Sequence, residues 1–182
     1  NSVGTLCETN GEKKLHNDIF FTRLVQRTIH LLATVTSAGK VFEIDARLRP
    51  YSKSGPITCS IASYENYLRN EAWIWEHQAL ISARPVTNSA KLHGDFLKIR
   101  QDVLCQPRDI NEVRKSIIEM REKILDEHGS KDKAKFNIKK DKGGIIDIEF
   151  IVQFYVLSHA NNHNEICVYT DNVRILDACC EA

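Results

Sequence analysis

Hydrophobic and charged residues alternate strictly along residues 41–50. The apolar positions are Phe42, Ile44, Ala46 and Leu48, and the charged positions are Glu43, Asp45, Arg47 and Arg49. This period of two predicts a half-buried β-strand, which Pro50 would end because proline cannot donate a backbone hydrogen bond. The charged face sets Asp45 beside Arg47 and Arg49, a combination that could bind a metal ion and a polyphosphate together. Ordinary solvation of an outward sheet face explains the same pattern.

Spacings of three and four residues predict helices over most of the remaining chain. We expect helices at residues 17–35, from Ser60 onward, and at 88–105, 109–128 and 145–160, with short strands at 81–86 and 136–139. The expected N-caps are Asn17 or Asp18, Ser60, Asn88 or Ser89, and Asp109. The predicted fold class is therefore α+β, with a mixed region over residues 1–87 and a mainly helical region over 88–182.

The last of these predicted helices, residues 145–160, is apolar on almost every side and should therefore be buried. Asp147 and Glu149 lie in its first turn, where an unpaired buried carboxylate costs several kcal/mol. Arg47, Arg49 and Lys139 are the candidate partners. The pattern leaves two interpretations open for the two acids, a structural salt-bridge network and a catalytic or metal-binding role.

The amino-acid composition indicates what class of protein the chain belongs to. The chain has 42% hydrophobic and 27% charged residues with a net charge of +1, which is typical of a globular domain and does not suggest nucleic acid or a membrane as partner. Its six cysteines form no Cys-x-x-Cys pair, so we expect reduced thiols in a cytoplasmic protein. Both ends look cut, and we expect a fragment of a longer polypeptide.

The loop after the predicted strand contains Ser54 and Gly55 beside Lys53. Glycine allows backbone amides to approach an anion closely, and the serine and lysine side chains could donate to one. Ordinary turn chemistry explains the loop equally well.

Four stretches carry a family resemblance when they are taken together. They are residues 44–50, residues 70–80 with two tryptophans before Glu76, residues 139–150 with Gly143 and Gly144, and residues 171–176. In order and spacing they resemble bacterial glutamine synthetase adenylyltransferase, from about Asp18 to the end of the chain. The form of residues 71–77, which includes Trp75, is similar to the C-terminal half of that enzyme.

The resemblance implies a nucleotidyltransferase-like mixed sheet over residues 1–87, followed by a helical bundle region. It also implies transfer of AMP from ATP to a tyrosine of glutamine synthetase, with release of pyrophosphate, under control of a PII-type signalling protein. The alternatives are the deadenylylating half of the same enzyme, and a regulatory module that contacts glutamine synthetase or PII. The related PII uridylyltransferase ranks below these because it should lack the stretch around Trp75.

The resemblance assigns roles to particular residues. Asp45 would be a Mg²⁺ ligand and a candidate base toward the tyrosyl hydroxyl. Arg47 and Arg49 would contact the triphosphate of ATP or hold Asp147 and Glu149. Ser54 and Gly55 would lie at the edge of the nucleotide site. The buried helix would be positioned by Gly143, Gly144 and Lys139, and Lys139 would lie near phosphate. The residues that would support the site are Trp75, Glu76, Asp147 and Glu149.

One part of the family pattern has no match in this chain. The Gly-Ser motif and the Asp-x-Asp pair lie upstream of the first helix in the family, and nothing here corresponds to them. Two-metal phosphoryl chemistry needs several carboxylates. We therefore expect this chain alone to be inactive in AMP transfer.

Overall fold

A computed structural model describes residues 8–37, 39–40, 42–51, 54–130, 132 and 134–181. The elements in chain order are α1 (Asn17–Ala33), β1 (Val35–Thr36), β2 (Gly39–Lys40), α2 (Ile61–Asn70), α3 (Ile74–Ile81), α4 (Ala90–Leu104), α5 (Ile110–His128), α6 (Ile145–His159), a 3₁₀ helix (Asn164–Cys167) and α7 (Asn172–Glu181). None of the helices in these ranges combines the length and apolar character that crossing a membrane requires.

The protein is predominantly helical, so the predicted α+β fold class with a mixed nucleotidyltransferase-like sheet is wrong. Within the described ranges, the strands are β1 and β2, each two residues long, and they pair with each other in antiparallel orientation. Residues 42–47 have no regular secondary structure, and Phe42 and Leu48 are 62% and 65% exposed. An alternating sequence becomes a stable strand only when a neighbouring strand completes its hydrogen bonds, and none of the described residues forms such a strand beside residues 42–47.

The prediction of two short strands later in the chain, at residues 81–86 and 136–139, is also wrong. Ile81 is the last residue of α3 rather than the first of a strand, and residues 83–87 are irregular. Residues 138–140 form a turn in which Asn137 accepts backbone hydrogen bonds from Lys139 and Lys140. A local side-chain acceptor of this kind competes with strand formation.

The chain divides into two compact units, Asn1–Tyr67 and Leu68–Ala182. The domain boundary expected near residue 87 stays a prediction. In the first unit, Tyr67 is the buried side chain among the described residues, and its ring lies 4.8 Å from that of Tyr51. The predicted helix α1 is confirmed, but it is preceded by His16, whose side chain makes no capping hydrogen bond, so the expected caps Asn17 and Asp18 are wrong.

The second unit holds most of the buried apolar side chains of the described residues. The helix α3 contacts α4, α5 and α6, while α6 also packs against α5 and α7. The predicted N-caps of α4 and α5 are confirmed, since Ser89 accepts from the amide of Leu92 and Asp109 from those of Asn111 and Glu112. Capping satisfies amides that have no partner within their own helix.

The helix α6 is present as predicted, but it is only partly buried. Val152, Val156 and Leu157 are buried, whereas Ile148 and Ile151 are 50% and 54% exposed. The apolar residues surround the helix, and its neighbours in this unit cover only one side of it.

Candidate functional site

The predicted catalytic residues of the first unit form a compact charged turn. The Asp45 carboxylate accepts hydrogen bonds from the backbone amide of Arg47 (2.9 Å), from its Nε (2.9 Å to each oxygen) and from its Nη2 (2.5 Å). These hydrogen bonds from Arg47, first those of the side chain and then that of the backbone, lower the pKa of Asp45 to about 2. Asp45 is therefore an exposed, fully ionised carboxylate, and Arg47 occupies both of its oxygens.

Arg49 does not share this carboxylate. Its Nη1 donates to the carbonyl of Ala46, and its buried Nε has no hydrogen-bond partner among the described residues. Asp45 and Arg47 are thus brought together by a local turn in which the aspartate side chain accepts from the residue two positions later. They do not share the face of a strand.

The loop with Ser54 and Gly55 folds back on Tyr51. The amides of Ser54 and Gly55 both donate to the Tyr51 carbonyl, at 3.1 and 3.3 Å, and Ser54 Oγ donates to the same oxygen at 2.7 Å. A Cβ at Gly55 would lie 2.3 Å from the carbonyl oxygen of Pro50, so this close turn requires glycine. The two amides and the Ser54 hydroxyl, which were expected to face an anion, are therefore engaged within the turn, and Lys53 lies outside the described residues.

A groove of about 690 Å³ lies beside this loop, within the first unit. Residues of α1, of α2 and of the segment between them line it, and the hydroxyls of Thr22 and Thr58 lie 3.1 Å apart there. Asp45, Arg47 and Arg49 are not among its lining residues.

Trp75 and Glu76 lie in the first turn of α3. Glu76 Oε2 accepts from the backbone amide of Trp73 at 2.9 Å, so this carboxylate caps the helix. The next residue, His77, is buried, and burial lowers its pKa. Its Nε2 lies 2.8 Å from the Leu68 carbonyl and its Nδ1 lies 3.4 Å from Arg108 Nη2, so the neutral ring carries its proton on Nε2.

Asp147 is held at the start of α6 by a residue that the sequence pattern did not indicate. One carboxylate oxygen accepts from Arg121 Nε, and the other accepts from the amide of Gly143 at 2.5 Å. Within the second unit, the cation beside Asp147 is thus Arg121 and not the expected Lys139. Pairing with Arg47 or Arg49, which belong to the first unit, stays a prediction. The hydrogen bond from Gly143 is the main reason that the pKa of Asp147 lies below its usual range, and Arg121 adds to the effect.

Arg121 and Gly143 also shape the turn that precedes α6. Arg121 Nη2 donates to the carbonyls of Lys140 and Asp141, at 3.0 and 3.1 Å, so one guanidinium ties α5 to the turn and to Asp147. Gly143 has a φ of 89°, a conformation that favours glycine.

Gly144 is the N-cap of α6, and a Cβ there would lie 2.6 Å from the Ile138 carbonyl oxygen. The two glycines shape the entry into α6. Lys139 is exposed, and its carbonyl accepts from the amide of Ile146 at 3.1 Å. Glu149 is half-buried. The structural interpretation accounts for both oxygens of Asp147.

Comparison with known proteins identifies the family. Residues 3–99 match the family model of glutamate-ammonia ligase adenylyltransferase, and residues 112–181 match the model of PII-uridylyltransferase. The chain is 47% identical over 176 residues to a bifunctional glutamine synthetase adenylyltransferase/adenylyl-removing enzyme of Thioalkalivibrio sulfidiphilus, which covers 97% of this chain. Enzymes of the same name from Hahella chejuensis and Idiomarina loihiensis are 43% and 44% identical, and each covers 93% of the chain.

The chain belongs to the glutamate-ammonia ligase adenylyltransferase family. It spans 18% of the length of each of these three relatives. The resemblance inferred from the sequence motifs is thereby confirmed at the level of the family. The roles assigned to individual residues stay predictions.

In this member of the glutamate-ammonia ligase adenylyltransferase family, sequence reasoning missed several buried polar groups of the second unit. Arg100 is 3% exposed and donates to four backbone carbonyls, those of Leu80, Ile81, Cys167 and Tyr169. Its position one residue after Ile99, on the apolar face of α4, was a signal that could have marked it as buried. Arg121 had no comparable signal, because its partner lies 26 residues away.

Proposed function

We propose that this chain is part of an enzyme that transfers AMP from ATP to a tyrosine of glutamine synthetase and releases pyrophosphate. The observation that carries the proposal is the match of residues 3–99 to the adenylyltransferase family model. The names of the three relatives, which describe both an adenylyltransferase and an adenylyl-removing activity, support it. The form of residues 71–77 favours the transferring half over the removing half.

In this proposal Asp45 supplies one ligand to Mg²⁺. The low pKa of Asp45 suits that role, since a metal ligand must be deprotonated. Among the described residues, however, no group of three or more histidine, cysteine or acidic side chains could hold a metal ion. Mg²⁺ prefers six oxygen ligands in an octahedral arrangement, so the described residues do not by themselves fit a magnesium site. The remaining ligands would come from other parts of the longer enzyme.

Arg47 and Arg49 would then contact the triphosphate of ATP. Two guanidiniums on one short turn can each present parallel donors to phosphate oxygens. Arg47 already donates to Asp45, so phosphate binding would require that it share or exchange this partner. Ser54, Gly55 and Lys139 are assigned to the nucleotide on the family resemblance alone.

The substitution Asp45→Asn in the full-length enzyme tests the metal-ligand role. We expect label transfer from α-labelled ATP to glutamine synthetase to fall by about 100-fold or more, because a neutral amide is a poor Mg²⁺ ligand. The matched control is Glu43→Gln, which neutralises an exposed carboxylate two residues away. It should leave the rate nearly unchanged. Full activity of Asp45→Asn would refute the role of Asp45 and leave the family assignment intact.

The direction of the reaction is tested separately. The full-length enzyme should be assayed with glutamine synthetase and ATP, and also with adenylylated glutamine synthetase and inorganic phosphate. If Asp45→Asn removes only the second activity, the chain belongs to the deadenylylating half. The 182-residue chain alone should transfer no AMP, and labelled glutamine synthetase in that assay would contradict the expectation that it lacks part of the site.

A second candidate function is a regulatory module that binds glutamine synthetase or a PII-type protein. The observation that favours it is the match of residues 112–181, which span α5 to α7, to the PII-uridylyltransferase model. Exposed Ile148 and Ile151 offer an apolar contact surface on α6. Titration of the chain with each purified partner tests it, and micromolar binding that Ile151→Asp abolishes would support it.

A further inference from the structure

Two cysteines that are far apart in the sequence meet in the second unit. Cys105 follows the last residue of α4, and Cys167 ends the 3₁₀ helix, 62 residues later. Their sulfur atoms lie 3.6 Å apart. Cys167 is 1% exposed and its thiol donates to the Asn164 carbonyl at 3.0 Å, whereas Cys105 is only half-buried.

The guanidiniums of Arg100, which is buried, and Arg108, which is half-buried, flank this pair. Arg100 donates to the carbonyl of Cys167, and Arg108 donates to carbonyls of the last turn of α4, which Cys105 follows. Neither arginine pairs with a carboxylate among the described residues, since their acceptors are carbonyls and the ring of His77. Burial lowers the pKa of both arginines. The nearby Cys167 and then Cys105 act in the opposite direction on Arg100, and Cys105 does so on Arg108. Arginine nevertheless stays cationic in proteins, so both side chains place positive charge beside the thiols.

We propose that Cys105 and Cys167 are a redox modification site that forms a reversible disulfide with small disulfide oxidants such as oxidised glutathione. The two sulfur atoms need to approach by about 1.5 Å to reach the disulfide bond length of roughly 2.05 Å. The bond would join the end of α4 to the 3₁₀ helix, which Arg100 already holds through the Cys167 carbonyl. The proposal is independent of the proposed transferase function.

The reaction has two balanced steps. The Cys105 thiolate attacks one sulfur of oxidised glutathione, the glutathione S–S bond breaks, and one glutathione thiolate leaves. Cys167 then gives up its proton and attacks the Cys105 sulfur of the mixed disulfide, which releases the second glutathione. Two protein thiols are oxidised to one disulfide, and one oxidised glutathione is reduced to two glutathione molecules.

The difference in burial determines the order of the two steps. Cys105 is half-buried, so a small disulfide oxidant can reach its sulfur. Burial, followed by the neighbouring Cys105, raises the pKa of Cys167. Cys167 is therefore slow to react with an external oxidant, but it lies in place to attack a sulfur that is already bonded to Cys105.

The test is incubation of the 182-residue chain in glutathione buffers of increasing oxidation, followed by thiol counting and peptide mass mapping. We expect loss of two thiols per chain from a total of six, a 105–167 cross-linked peptide, and a rise in Tm of about 5 °C or more because a long loop is closed. Reducing agent should restore all six thiols. No cross-link, a cross-link between other cysteines, or a stable glutathione adduct on Cys105 would overturn the proposal.

Variants separate the two steps. Cys167→Ser should stop the reaction at the glutathione adduct on Cys105, and Cys105→Ser should react at neither position. The matched control is the double substitution Cys179→Ser, Cys180→Ser, which should still form the 105–167 disulfide. If either single variant loses its helical circular dichroism, peptide mapping of the unmodified chain decides alone, because the 105–167 peptide is either found or absent.

Discussion

The Arg121–Asp147 pair joins α5 to the first turn of α6 with little solvent around it. The two side chains are 13% and 28% exposed, and Arg121 also binds the carbonyls of Lys140 and Asp141. By contrast, the Arg174–Asp171 pair has side chains that are 60% and 45% exposed. Solvent screens the exposed pair, so the two pairs should contribute unequally to stability.

Replacement of Asp147 by Asn tests this inequality. Asparagine can still accept from Gly143, but it leaves the Arg121 charge without a counterion in a half-buried site. We expect the free energy of unfolding to fall by about 2 kcal/mol in urea titrations. Asp171→Asn is the matched control and should cost about 0.5 kcal/mol or less. Equal losses for the two variants would contradict the structural role of Asp147.

The same pair predicts a dependence on pH. The pKa of Asp147 is lower in the folded chain than in the unfolded one, where it is near 3.9. The unfolded state therefore takes up a proton first as pH falls, and the stabilisation by the Asp147 charge is complete above about pH 5. It should decline from there as pH falls through the folded pKa. The difference in unfolding free energy between the original chain and Asp147→Asn should shrink over that range.

At the scale of elements, the helices could be predicted and the strands could not. Amphipathic spacing and N-caps are local, so Ser89 and Asp109 located the starts of α4 and α5 from the sequence. The alternating residues 41–50 carry the period of a strand, but strand formation depends on a partner elsewhere in the chain. Without one, Asp45 and Arg47 form a local turn instead.

The candidate site, like the secondary structure, could be predicted only where local sequence determines it. Family motifs led to Asp45 and to the glycines before α6, which the structure places in tight turns. The pairing of Asp147 with Arg121 depends on how α5 and α6 pack together, and no periodicity encodes that. Charge alone indicates which residues could pair with a carboxylate, but it does not specify which helix brings a cation close to it.

The apolar residues of α6 have unequal environments, and this predicts unequal costs of truncation. Leu157 is 2% exposed, while Ile151 is 54% exposed on the same helix. Leu157→Ala should lower the free energy of unfolding by about 3 kcal/mol, because it leaves a cavity in the core of the second unit. Ile151→Ala should cost about 1 kcal/mol or less. Urea unfolding of both variants checks the contrast, and a large loss for Ile151→Ala would mean that this face is covered in solution.

At the scale of the whole molecule, burial is divided unevenly between the two units. In the described residues of Asn1–Tyr67, Tyr67 alone is buried, and α1 contains no buried residue. The second unit has a core shared among α3, α4, α5, α6 and α7. Because most helix stability in proteins comes from packing, α1 should open far more often than α4 even though the two helices have similar lengths of 17 and 15 residues.

Hydrogen–deuterium exchange on the intact chain measures this difference directly. Amides of α4 and of the buried turns of α6 should exchange about 100-fold or more slowly than those of α1, since their opening requires the second unit's core to unfold. The comparison is internal, so both helices experience the same temperature, pH and protein concentration. Equal protection of α1 and α4 would mean that α1 gains a packing partner in solution, and the exposed side chains Phe20, Phe21 and Leu24 would be its contact surface.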